Sequence, residues 1–144
     1  MIELTERQME IWRLCIRGVS ASEISRILNV SRQFVHKAIN LLELKVYRLL
    51  TGVAKANRIE IYEVNAKKGY LRGYSPEFGT DVFITFSAKN GVQVWYRHRG
   101  NCRECRMRNE CVRILRDEAE ERGMELKEVE PDKMAEELFQ AIGD

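Results

Sequence analysis

Three cysteines fall close together as Cys102-x2-Cys105-x5-Cys111, and a histidine, His98, stands four residues before the first of them. Thiolate and imidazole donors at such spacing suit a tetrahedral ion, so His98, Cys102, Cys105 and Cys111 form a candidate zinc set. An iron-sulfur cluster is a second reading of the same thiols, and a metal-free redox pair of Cys102 and Cys105 is a third. In each case Arg97, Arg99, Arg103, Arg106 and Arg108 would favour the thiolate form. The remaining cysteine, Cys15, lies far away among apolar residues, where a buried thiol is the common case.

A second group of side chains has the chemistry to read a duplex. Ser31, Arg32, Gln33, His36, Lys37 and Asn40 occupy the first turns of an expected helix. An arginine matches the edge of guanine bidentately, and glutamine or asparagine matches adenine. Arg32 is therefore a candidate for guanine, Gln33 or Asn40 for adenine, and Ser31 for a helix cap that also meets phosphate. Charge is segregated in the same sense. Residues 31–58 hold Arg32, Lys37, Lys45, Arg48, Lys55 and Arg58 against Glu43 alone, and residues 97–116 are again rich in arginine. After Asp117 the chain turns acidic. Basic segments of this kind can meet a polyanion although the formal net charge is only +2.

Other function classes find little support. The two histidines, His36 and His98, belong to the groups above, and no Ser-His-Asp set, phosphate-binding glycine loop or paired-carboxylate pattern stands out, so no enzyme activity is expected. No apolar run approaches the roughly 20 residues that cross a bilayer, and the first ten residues are polar and acidic rather than a leader, so a cytoplasmic protein with no membrane partner is expected.

The elements that must position these groups can be read from periodicity and capping. Thr5 with Gln8, and Ser20 with Glu23, are capping boxes that open two helices, each continuing into apolar residues at helical spacing. Gly18 ends the first and Asn29 suits a left-handed turn after the second. Ser31 caps a third. That helix does not stop early: Val35, Ile39, Leu42, Val46, Leu49 and Val53 form a heptad-like seam, to pair with a second copy or to pack on the next domain. The period then changes to two, predicting three or four antiparallel strands between residues 59 and 96. A helix from Glu110 to about Arg122, a strand at residues 125–129 and a last helix opened by Pro131 complete the expectation.

The combination Leu4-Thr5, Arg7, Glu10-Ile11, Leu14, Gly18, Ser20, Glu23-Ile24, Leu28, Val30-Ser31 and Val35 resembles the helix-turn-helix of LuxR-type regulators and of sigma-factor region 4. The resemblance implies that the second and third helices cross closely, with Ser25 small at the crossing, and that the third helix enters the major groove of double-stranded DNA. The cysteine spacing is similar to that of WhiB-like iron-sulfur regulators, which implies a distant fourth cysteine ligand; here that would be Cys15.

The expected architecture is α+β. A helix-turn-helix with a long third helix spans residues 1–56, and residues 57–144 form a small antiparallel sheet with a Cys-rich metal knuckle and C-terminal helices. The expected function is sequence-specific transcriptional regulation as a homodimer, with a metal module that is structural or sensory. The competing reading is a metal-stabilised, non-catalytic adaptor that docks on protein or RNA.

Overall fold

The computed structural model describes residues 3–97, 106 and 108–143. Among these, helices α1 (Glu6–Ile16), α2 (Ala21–Leu28) and α3 (Arg32–Ala56) precede strands β1 (Glu60–Asn65), β2 (Tyr70–Ser75), β3 (Thr80–Ser87) and β4 (Gly91–Tyr96), and then come α4 (Arg108–Glu121) and α5 (Pro131–Gly143). The strands form one antiparallel meander in the order β1-β2-β3-β4. The class is α+β, as expected.

Local chemistry accounts for the helix starts. The Thr5 hydroxyl accepts from the Gln8 backbone N–H at 3.2 Å while the Gln8 side chain accepts from the Thr5 N–H at 2.9 Å, a complete capping box. The second expected box is half formed. Ser20 accepts from the Glu23 N–H at 3.2 Å, but the Glu23 carboxylate turns outward to Arg26 at 3.0 Å instead of reaching back. Ser31 caps α3 by accepting from the Phe34 N–H.

The helix α3 runs unbroken for 25 residues. Its seam is used within the chain: Val35, Leu42 and Val46 are buried in one apolar cluster with Ile11, Trp12 and Ile24 of α1 and α2 and with Leu71, Val82, Ile84 and Phe86 of the sheet. Beyond Val46 the buried line moves from Leu49 and Val53, which are only partly covered, to Leu50 and Ala54. A spacing of four lets the buried face rotate along a straight helix, as packing on a twisted sheet requires and a two-stranded coiled coil does not. The core therefore runs without interruption across the boundary expected after residue 56.

Alternation along β3 and β4 divides the sheet's two faces. Val82, Ile84 and Phe86 point toward the first three helices, whereas Phe83 joins Tyr70, Leu115, Met134 and Leu138 in a second cluster under α4 and α5. Two glycines permit close approaches, one between helix and sheet and one between neighbouring strands. Gly69 has φ +70°, and a Cβ there would lie 2.7 Å from the Trp12 ring. Gly73 faces the Glu60 carbonyl so closely that no side chain fits.

The strand expected at residues 125–129 does not form. The backbone N–H groups of Lys127 and Glu128 donate to the Glu137 carboxylate at 2.9–3.2 Å, which takes the donors that a strand would need. Pro131 opens α5 as expected. None of the described helices is long and apolar enough to cross a membrane.

Candidate nucleic-acid interface

The geometry around residues 29–40 starts with a turn. Asn29 adopts φ 54° and ψ 51°, the left-handed conformation that ends α2, and its amide and that of Val30 bond back to Arg26 and Ser25 carbonyls. Chain direction thus changes within three residues before Ser31 opens α3. Ser25 is buried, with its hydroxyl donating to the Ser22 carbonyl at 2.6 Å, so a small side chain stands on the inner side of α2. Ile24 and Val35 are fully buried in the same cluster and fix α2 against α3.

That packing leaves the other face of the α3 N-terminus open. Ser31, Arg32, Gln33, His36, Lys37 and Asn40 are all exposed. Among the described residues, the side chains of Arg32, Gln33, His36, Lys37 and Asn40 make no internal hydrogen bond or ion pair, so all five are available to a partner. The first turn of α3 carries no acidic residue, and the positive end of its dipole faces outward uncompensated. Helical spacing puts Gln33, Lys37 and Asn40 in one line and Arg32 with His36 beside it. The arrangement offers donors and acceptors of the right kind for base edges, with two fixed cations and a helix N-terminus for phosphates.

One member of the basic segment has a different task. Lys45 donates to the Gln8 side chain at 3.0 Å and to the Glu3 carbonyl at 3.2 Å, tying α3 to the start of α1. Further along the exposed side of α3 the surface becomes apolar: Leu41, Leu44 and Tyr47 are each about half exposed, as are Phe34 and, on α2, Ile27. The heptad seam lies on the face that the chain's own core covers, whereas Phe34, Leu41 and Leu44 on this outer stripe are themselves at spacings of seven and three.

Of the expected metal ligands, His98, Cys102 and Cys105 lie outside the described residues. Cys111 stands in the first turns of α4, half-buried, on the sheet face that α4 and α5 cover. Cys15 is on the opposite side, packed into the cluster of α1, α2 and α3. Burial pushes its thiol above the ordinary value, and nearby Glu43 adds to the effect. Among the described residues no group of His, Cys, Asp or Glu is gathered as a metal site.

A buried charged cluster was missed from sequence. Glu118 on α4 and Arg122 just beyond its end have almost no exposed side chain and face each other at 4.0 Å. Arg122 donates from one terminal nitrogen to the carbonyls of Phe86 at 2.9 Å, Gly69 at 3.3 Å and Lys68 at 3.4 Å. Desolvation pushes the Glu118 carboxyl up to about 7, against the pull of Thr85, Arg122 and Trp95. Neither of its oxygens completes a hydrogen bond among the described residues. Glu121 accepts from the Ala88 N–H at 2.9 Å, and Arg17 just beyond α1 donates to the Glu120 and Glu121 carbonyls at 2.6 and 3.1 Å. The end of α4 therefore clamps α1 to the sheet. The available signal was Leu115, Glu118, Ala119 and Arg122 at helical spacing, a stripe half apolar and half charged.

Comparison with protein-family models, curated proteins and solved structures finds no match, so the residues themselves carry the functional reading.

Proposed function

We propose that this chain is a sequence-specific DNA-binding transcriptional regulator that acts as a homodimer. The observation that carries the reading is the fully unengaged polar face at the N-terminus of α3, mounted on a sharp Asn29 turn and backed by a rigid apolar core. In this reading α2 and α3 are a helix-turn-helix, in keeping with the residues that resemble LuxR-type regulators, and α3 lies in the major groove. Arg32 reads guanine and Gln33 or Asn40 reads adenine, while His36 meets a neighbouring base edge. Ser31 and Lys37 hold phosphates and set the register. The outer stripe of Leu41, Leu44 and Tyr47 pairs with its own copy, because a two-fold dimer presents two α3 N-termini to two half-sites.

The C-terminal thiols complete the reading. His98, Cys102, Cys105 and Cys111 hold zinc, with the spacing as support. Cys15 suits an inert core thiol better than a cluster ligand, since burial favours its protonated form.

The test is selection from a pool of random duplexes. Recovery of a sequence motif with two related halves is expected. Recovery of no motif, together with equal or tighter retention of single-stranded RNA, would reject the DNA reading and favour an adaptor.

A further inference from the structure

Between the outer face of the sheet and the helices α4 and α5 lies a cavity of about 950 Å³, within the range that small-molecule sites occupy. Its apolar walls combine aromatic rings with Val82, Leu115, Pro131 and Ala135. Phe83 and Phe139 stack at 4.2 Å between ring centroids with planes 13° apart, Trp95 stands 6.1 Å from Phe139, and Tyr70 backs Phe83 at 5.3 Å. The Trp95 indole N–H donates to the Thr85 hydroxyl at 3.0 Å, which fixes the ring in the wall. Stacking on Phe139 and Tyr70 occupies Phe83, so a flat apolar body would meet its edge and the half-buried rings of Trp95 and Phe139.

The charges around this slab decide the sign of the ligand. Asp81, Asp132 and Glu136 line the cavity, and neither Asp81 nor Asp132 has an ion-pair partner among the described residues. Among the described residues two arginines line it, and they do not offset the carboxylates equally. Arg72 is held by Glu63, with its Nε donating to the carboxylate at 2.8 Å. Arg97 stands 4.0 Å from Glu136, both side chains about 70% exposed, a pair weakened by solvent. An anion would face the unpaired carboxylates. A neutral ligand would gain nothing from them. A cation gains from the carboxylates and from the aromatic faces together.

We propose that this cavity is a binding site for a small organic cation with an aromatic body. The ligand's ring packs among Phe83, Trp95 and Phe139, and its ammonium group lies toward Asp132 and Glu136. Cys111 also lines this cavity, but neither the ring contacts nor the carboxylate contacts involve DNA, so the proposal stands or falls separately from the DNA-binding reading.

Calorimetric titration of the full chain with naphthylmethylammonium, naphthylmethanol and naphthoate tests it. Saturable binding of the ammonium compound is expected, at least about tenfold tighter than the alcohol or the carboxylate. The double variant Asp132→Asn, Glu136→Gln, whose altered groups are exposed and leave the core intact, should lose that preference for the cation. Equal or tighter binding of naphthoate or the alcohol would overturn the proposal. So would the absence of saturable binding by the ammonium compound, or a double variant that keeps the full preference.

Discussion

Glu118 has its carboxyl buried beside Thr85, Trp95 and Arg122, with a proton affinity raised to about 7 from an ordinary value of 4.5. The folded chain thus holds this proton more tightly than the unfolded chain does. The stability contributed by the protonated group is complete below the ordinary value and is lost as pH rises through about 7. The loss is on the order of 3 kcal/mol. Denaturation of the Glu118→Gln variant should therefore show an advantage over the unaltered chain that grows between about pH 5 and about pH 8. A difference that stays constant across that window would mean that Glu118 does not titrate there. Arg122 remains held by three carbonyls in the variant, so the fold is expected to survive. The thiols give a second test. Cys102→Ser, Cys105→Ser and Cys111→Ser should each lose zinc by elemental analysis, while Cys15→Ser keeps it. A brown protein on anaerobic purification, or loss of metal from Cys15→Ser, would instead place Cys15 in an iron-sulfur cluster.

The helix α3 shows why a hydrophobic period alone does not name its partner. Its seam was legible because Val35, Leu42 and Val46 recur at spacings of seven and four, and the structure buries all three. The chain's own helices α1 and α2 and its sheet cover them, and the sign of this was the drift to Leu50 and Ala54 rather than Leu49 and Val53. The two faces of the helix should respond differently to charge. Val46→Asp should unfold the chain, since it removes a fully buried contact and strands a carboxylate in the core, at a cost of several kcal/mol. Leu44→Glu with Tyr47→Glu should leave secondary structure intact and convert a dimer to a monomer by sedimentation. A double variant that sediments as the unaltered protein does would exclude the outer stripe as the dimer contact. The failed strand at residues 125–129 carries a related lesson. Its two apolar residues, Leu126 and Val129, stand three apart and so alternate poorly, and Glu137, ten residues beyond Lys127, captures the amides through a contact that no local pattern reveals.

Across the chain, capping and turn chemistry were the most legible features. Thr5, Ser20, Ser31, Asn29 and Pro131 each mark a boundary that the structure keeps, because the groups they satisfy are only a few residues away. The candidate reading face was legible for the same reason: exposed polar residues in the first turns of one helix need no tertiary information to be placed together. The clamp of Glu118, Glu121 and Arg122 was not, since their partners at Gly69, Phe86, Ala88 and Arg17 come from distant segments. Nor was the cavity, which exists only where α4 and α5 cross the outer sheet face. That clamp joins the helix α4, which walls the cavity through Leu115, to α1 at the back of the candidate reading unit. If the α3 N-terminus reads DNA, affinity for the selected duplex over a range of salt depends on its polar side chains one by one. Arg32→Ala and Gln33→Ala should each weaken specific binding by about 1–3 kcal/mol and relax the preference at one base position, whereas Lys37→Ala should lower affinity for all sequences and reduce the salt slope by about one. Unchanged affinity and base preference in the Arg32 and Gln33 variants would remove the α3 N-terminus from the DNA interface.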